Sequence, residues 1–377
     1  MRLLTGKSLG LLYLLVPLTV VPPALAQQAT RPRPVLSPEV HADRRVTFRL
    51  RAPAADEVAL TGEFMDGSRV MRRSDDGLWS VTVGPIAPEV YEYEFTIDGA
   101  TFLDPRNPTV KTNRGPSGIS SLLTVRGDEP LFFDVRPVPH GTVEIRTYDS
   151  GVTGLSRQVY IYTPPGYDEG TEALPVLYLL HGADGEARSW TMLGRAHTIL
   201  DNLIADGRSA PMIIVIPFGY AYPWDAGVSR EKQQEDFLAV LKTELIPFVE
   251  ANYRVSGDRE HRALAGLSRG GSQTLTIGLR HLDLFSRLGV FSAGGGSEPG
   301  TRFADVAANA AQVNEKLDLF WIGIGTGDGG HENAKRLSRF LTNSSIEHTF
   351  REIPGAHTWI VWRQFLDEMA PLLWPKM

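Results

Sequence analysis

A serine with glycine two positions before and two positions after it occurs at Gly266-Leu267-Ser268-Arg269-Gly270. The apolar run Ala263-Leu264-Ala265 precedes it, and Gly271-Ser272-Gln273-Thr274-Leu275, a stretch able to start a helix, follows. Strand, tight turn and helix in that order hold a serine at the tip of a strained elbow with its hydroxyl presented for nucleophilic attack. The glycines let neighbouring backbone pass close. The helix N-terminus adds positive potential where an oxyanion develops. The same pattern recurs by chance at Gly6-Lys7-Ser8-Leu9-Gly10 in an N-terminal apolar segment. The bare pattern is therefore weak, and the context around Ser268 carries the argument. The bland alternative is a glycine-rich turn with a passive serine.

A serine hydroxyl needs a base to attack near neutral pH. In chain order serine, acid, histidine, the downstream histidines are His281, His331, His348 and His357. His281 falls in or just after the helix that follows the elbow, and His348 at a strand. His357 lies in Pro354-Gly355-Ala356-His357-Thr358-Trp359, a loop between a strand near 349–353 and a helix near 361. A base belongs on such a loop at the carboxyl edge of a sheet. His331, also on a loop, is its rival. Leu319-Phe320-Trp321-Ile322-Gly323-Ile324-Gly325-Thr326-Gly327-Asp328 reads as a strand ending in an acid, with Glu332 as the weaker choice. Asp328 would fix the histidine tautomer and stabilise the imidazolium; its other reading is a turn or cap residue for a helix around 333–341. Two oxyanion donors are needed. The Arg269 N–H is one. The other comes from the loop His181-Gly182-Ala183-Asp184-Gly185, with Ala183 preferred to Gly182. His181 itself reads as structural. Trp190, Phe218, Tyr220, Trp359 and Trp362 are candidates for an aromatic substrate wall, each equally able to be packing.

The elements that must position these groups follow. Gln158-Val159-Tyr160-Ile161-Tyr162, Val176-Leu177-Tyr178-Leu179-Leu180 and Met212-Ile213-Ile214-Val215-Ile216 are short, near-continuous apolar runs, as strands buried on both faces should be. Phe237, Val240, Leu241 and Leu245 share one helical face, as do Leu337, Phe340 and Leu341. Alternating β and α segments predict a mostly parallel sheet covered by helices over residues 141–377. Upstream, Val46-Thr47-Phe48-Arg49-Leu50 and Tyr91-Glu92-Tyr93-Glu94-Phe95-Thr96-Ile97 alternate, separated by turn signals such as Asp75-Asp76-Gly77 and Asp98-Gly99. Short strands without a helical period predict a small all-β, immunoglobulin-like sandwich over 39–126. Trp79 lies in a strand pattern and reads as core. Residues 127–140, with Pro130, Pro137 and Pro139, read as a linker.

The chain has 377 residues and a net charge of −6, which disfavours nucleic acid or an anionic membrane as the main partner. With no cysteine, disulfides, zinc-thiolate sites and a cysteine nucleophile are excluded. No metal motif, phosphate loop or dinucleotide fingerprint is present, so no cofactor is expected. Arg2 and Lys7, the apolar run 9–21 and Ala24-Leu25-Ala26 form the pattern of a signal peptide over 1–26, followed by a flexible leader over 27–38. Export, to the periplasm or beyond, without stable membrane insertion is the expectation.

With these residues in view, residues 138–375 resemble the esterase D / carbohydrate esterase family-one group, which includes feruloyl and acetylxylan esterases and has enterochelin-type relatives. The likeness rests on Val138-Pro139-His140-Gly141, Tyr162-Thr163-Pro164-Pro165-Gly166-Tyr167, Leu179-Leu180-His181-Gly182 with Trp190, Ile199-Leu200-Asp201-Asn202-Leu203-Ile204, Gly266 to Gly271, Gly325-Thr326-Gly327-Asp328 and His357-Thr358-Trp359. It implies an α/β-hydrolase domain, Ser268, Asp328 and His357 as triad, no cofactor, and an acylated plant polysaccharide as substrate. Arg269 replaces a frequent methionine, and Gly182-Ala183-Asp184-Gly185 is a variant oxyanion loop, so acyl preference is open. Residues 39–126 resemble the early-set domains that precede isoamylase-type and some esterase catalytic domains, through Leu60-Thr61-Gly62-Glu63-Phe64, Asp76-Gly77-Leu78-Trp79 and the run from Tyr91 through Asp104-Pro105. The rival functions are a siderophore esterase or an acyltransferase with the same triad, and a carbohydrate-binding protein with an inert hydrolase domain.

Overall fold

A computed structural model of the chain describes residues 35–112, 119–183, 185–223, 225–296 and 298–375. The expected signal peptide, residues 1–26, lies outside them, as do residues 27–34 of the expected leader and Asp184 of the loop expected to supply an oxyanion donor.

Alternation in the first third of the chain builds two antiparallel sheets. One orders the strands Glu39–Val40, Val46–Arg51, Leu78–Val83 and Arg72–Arg73; the other is centred on Glu89–Ile97, flanked by Val58–Gly62 and Ser120–Val125, with Val110–Lys111 at one edge. Val46, Phe48, Leu50, Leu60, Tyr93, Phe95 and Leu123 meet between them as the core. Trp79, the only tryptophan of this region, is buried there and donates its indole N–H to the Ala52 carbonyl at 2.9 Å. It presents no face for sugar stacking.

The rest of the chain forms an eight-stranded sheet: β1 Thr142–Asp149, β2 Ser156–Thr163, β3 Val176–Leu180, β4 Ile213–Pro217, β5 Arg262–Leu267, β6 Arg287–Phe291, β7 Leu319–Gly325 and β8 Thr349–Ile353. Their order is β1-β2-β4-β3-β5-β6-β7-β8. β1 and β2 pair antiparallel, as do β2 and β4, and the remainder pair parallel. This is the α/β-hydrolase architecture. No apolar run marks β1, because an edge strand with one open face needs few buried side chains.

Period-two geometry explains why the central strands are apolar throughout. Val176, Tyr178 and Leu180 of β3 enter one core, and Leu177 and Leu179 enter the other. The first core is closed by α2 Arg230–Val240, α3 Arg269–Arg280 and α4 His331–Asn343, through Phe237, Leu275, Leu337 and Leu341. The second is closed by α1 Ala196–Ala205 and α5 Trp359–Leu373, through Ile199, Leu203, Phe365 and Met369. Each such side chain contributes ~1.5–3 kcal/mol by leaving water. The continuation of α2 loosens into a π-helical stretch at Leu241–Leu245 before a further helix, Ile246–Asn252, whose first turn holds Pro247.

Residues 127–140 lack regular structure but are tied to the sheet domain. Phe133 is buried, and Asn202 donates to the carbonyls of Phe132 and Asp134 at 2.8 and 2.9 Å. Asp201, buried beside it, accepts from Gly141 N–H (2.9 Å) and Tyr162 OH (2.7 Å) and pairs with His140 (2.9 Å). The polar pair Asp201-Asn202 thus pins this segment to α1. The sandwich docks through Arg363 on α5, 1% exposed, which donates to the Glu89 carboxylate at 2.6 Å and the Leu193 carbonyl at 2.7 Å.

Candidate active site

Ser268 stands between β5 and α3 with φ +52° and ψ −113°, a conformation that costs a non-glycine residue on the order of 1–3 kcal/mol. The turn persists because its surroundings enforce it. Ser268 N–H donates to the Phe291 carbonyl of β6 at 2.7 Å. A Cβ at Gly266 would lie 2.6 Å from the Gly270 carbonyl carbon, and one at Gly270 would lie 2.6 Å from the His181 carbonyl oxygen. Only glycine permits that approach, and it brings the end of β3 against the elbow.

The structure brings Ser268, His357 and Asp328 together. Ser268 Oγ is 2.9 Å from His357 Nε2, and His357 Nδ1 is 2.7 Å from Asp328 Oδ2. Asp328 follows β7, and His357 occupies the loop between β8 and α5. Burial alone would raise the Asp328 carboxyl. Hydrogen bonds from His357, the Gly330 N–H (2.7 Å) and Ser292, together with the charge of His357, hold it below the usual carboxylate range. An ionised Asp328 takes a proton-bearing Nδ1, which leaves Nε2 of neutral His357 to accept from the serine hydroxyl. His357 is 44% exposed while Asp328 is 2% exposed at the side chain, so solvent reaches the imidazole and not the carboxylate.

The loop after β3 faces the elbow, and its geometry is set by His181. That ring is fully buried, stacked on Phe218 and beside Tyr220. Nε2 accepts from Gly219 N–H at 2.9 Å, so Nδ1 carries the proton and donates to the Gly182 carbonyl at 2.8 Å. Burial pushes the imidazole down to about 4. His181 is therefore a neutral strut under the loop that carries Ala183, as its sequence position suggests. Arg269 is the first residue of α3, and first-turn amides have no carbonyl four residues back. Its guanidinium lies over Tyr220, 3.9 Å from the ring centroid.

A cavity of about 310 Å³ opens on the serine, lined by Ala183, Ser268, His357, Trp359, Trp362 and Lys111. Trp362 meets His357 edge-to-face at 5.0 Å. Its indole N–H donates to Ser292 Oγ at 2.9 Å. Trp362 and Ser292 thus form a chain that supports Asp328 from behind. Among the described residues no group of three or more His, Cys, Asp or Glu could hold a metal ion, and no helix is long and apolar enough to cross a membrane.

Residues 150–373 match the family model described as "Putative esterase". The chain belongs to this esterase family. Residues 36–109 match carbohydrate-binding module 48, the isoamylase N-terminal domain. An endo-1,4-beta-xylanase/feruloyl esterase of Xylanibacter ruminicola is 31% identical over 349 residues, covering 89% of this chain and 46% of that protein. An esterase of Mycobacterium tuberculosis is 25% identical over 56% of this chain and 54% of its own length. The chain thus spans about half the length of the curated relatives it matches. Among solved structures, a ferulic acid esterase from Anaeromyces mucronatus has a TM-score of 0.55 and 27% identity, covering 63% of this chain and 92% of that one. The enterobactin esterase from Shigella flexneri has a TM-score of 0.65 over 88% of this chain and 93% of its own, at 20% identity, a likeness of fold.

Within this chain the other sequence candidates fall elsewhere. Trp190, expected at a substrate wall, is instead core: it is 0% exposed, packs edge-to-face on Phe291 and Trp359, and donates its N–H to the Leu180 carbonyl at 3.0 Å. Trp359 and Trp362 line the cavity; Phe218 and Tyr220 brace His181 and Arg269. His331 pairs with Glu352 at 2.6 Å, and Glu332 is exposed beside Lys335. His281 caps the C-terminal end of α3, and His348 contacts Ser338 at 2.8 Å. Two contributors carry no local sequence signal. Ser292 supports Asp328 from just beyond the end of β6. Lys111 reaches the cavity from a two-residue edge strand of the sandwich, its amine held by both Glu92 carboxylate oxygens at 2.8 and 2.6 Å.

Proposed function

We propose that this chain hydrolyses carboxylic esters through an acyl-enzyme on Ser268. The observation that carries the reading is the continuous hydrogen-bonded line from Ser268 Oγ through His357 to the buried Asp328. His357 Nε2 takes the hydroxyl proton as Oγ attacks the ester carbonyl. The oxyanion rests on the Arg269 and Ala183 N–H groups. His357 then gives the proton to the leaving alcohol, and a water activated by His357 releases the acid. Losing one oxyanion donor would cost ~3–4 kcal/mol of transition-state stabilisation.

The substrate proposed is a plant polysaccharide bearing feruloyl or acetyl esters. Trp359 and Trp362 on the cavity wall support an aromatic acyl group, as does the likeness to the feruloyl esterase of Xylanibacter ruminicola and the ferulic acid esterase of Anaeromyces mucronatus. Residues 1–26 support a proposal that the enzyme is exported to meet such a polymer. The test is release of ferulate from methyl ferulate and of acetate from acetylated xylan by wild type and Ser268→Ala. Ferulate release lost in the variant is the expected result. Acetate release alone would retain the mechanism and remove the aromatic acyl pocket. Activity retained by Ser268→Ala would end the mechanism. Activity on neither substrate would end the polysaccharide reading in favour of a siderophore ester or an acyl transfer.

A further inference from the structure

A second cavity, of about 450 Å³, meets the first at Ala183; among the described residues it is lined by three arginines, Arg230, Arg269 and Arg302, and one acid, Glu231. Two of these cations are held in place. Arg269 lies flat over Tyr220 at 3.9 Å. Arg302, partly buried, donates to Thr276 Oγ1 at 2.7 Å and to the Gly295 carbonyl at 3.2 Å. Those acceptors are neutral, and burial draws the guanidinium partly out of bulk water. Among the described residues, neither Arg230 nor Arg302 forms an ion pair with a carboxylate. The cavity also lies at the N-terminal turns of α2, which carries Arg230 and Glu231, and of α3, which carries Arg269 and Ser272. Both helix dipoles add positive potential there.

Cations organised in a concavity that adjoins a nucleophile fit a planar anion able to take paired N–H donors. We propose that this cavity is a second substrate subsite that binds a carboxylate carried by the ester, so that the enzyme selects anionic esters, such as uronate-bearing ones, over neutral esters. The proposal rests on the ester-hydrolase reading and adds a charge preference to it. The carboxylate is recognised and takes no part in the chemistry.

The test compares matched pairs of esters. On the acyl side the pair is 4-nitrophenyl hydrogen adipate and 4-nitrophenyl hexanoate. On the alcohol side it is 4-acetoxybenzoate and 4-acetoxybenzamide. Each is measured with wild type, Arg230→Gln, Arg302→Gln and the double variant, at low and high salt. The expected result is a kcat/KM ratio favouring the anionic member of at least one pair by about tenfold, the scale of charge-assisted hydrogen bonds in a solvent-open cavity. That ratio falls toward one in the double variant and at high salt. Because the readout is a ratio, a folding defect lowers both members and leaves it unchanged, and Arg302→Lys should retain part of the preference. Ratios near one for both pairs in wild type, or a preference that survives the double variant, would overturn the subsite while neutral esters are still hydrolysed. Failure of the parent reading looks different: wild type would then turn over no neutral ester, or Ser268→Ala would do so equally well.

Discussion

Acid should weaken this fold through His181. The ring is fully buried, its Nδ1 proton is committed to Gly182 and its Nε2 lone pair to Gly219 N–H, so a second proton has no acceptor to replace the bond it breaks. Its folded-state value of about 4 lies below the ordinary 6.5. Between those two values the unfolded chain binds a proton that the folded chain refuses, so stability is complete above pH 6.5 and declines as pH falls toward 4. Each pH unit in that window costs ~1.4 kcal/mol, or roughly 2.5 kcal/mol between pH 6.5 and 4.5. The comparison is wild type against His181→Gln, whose side-chain oxygen can still accept from Gly219 N–H. Urea unfolding at pH 7.5, 6.5, 5.5 and 4.5 measures both. The variant should be less stable at pH 7.5, with the gap narrowing by about 2 kcal/mol at pH 4.5 as the wild type loses this contribution. The carboxylates titrate alike in both chains and cancel. Parallel stability curves would refute the assignment of His181 as a neutral strut.

Asp328→Asn should keep the fold and lower kcat by about four orders of magnitude with little change in KM, because an amide can favour the wrong His357 tautomer; steady-state kinetics on an aryl acetate reads it. Arg363→Met should destabilise the chain by ~3–5 kcal/mol in thermal or urea unfolding, since Glu89 would stay at the docking surface without its cation. Trp190→Ala should cost ~3–5 kcal/mol of stability by opening a core cavity, with KM for methyl ferulate changed less than by Trp359→Ala. The reverse ranking in KM would return Trp190 to the substrate wall.

The three residues that meet in the candidate site were legible in the sequence because each sits at a local transition with a composition of its own. Ser268 stands between an apolar run and a helix start, Asp328 at the end of a glycine-rich strand, and His357 on a loop bounded by Pro354 and Gly355. Sheet and helix patterning was legible because strands buried on both faces must be apolar at every position. What the sequence could not rank is which aromatic residues face substrate. Trp190 and Trp359 look alike locally, and only the tertiary packing of Trp190 against both Phe291 and Trp359 buries the one and leaves the other at the cavity. Ser292, Lys111 and the arginine cavity are likewise tertiary. Lys111 and His357 are separated by almost 250 residues, and no local pattern encodes a contact made by docking one domain on another. The chain by itself determined which residues are chemically competent and in what order. The close approach of backbone at Gly266 and Gly270, and the seating of the sandwich on Arg363, decided which of them share a site.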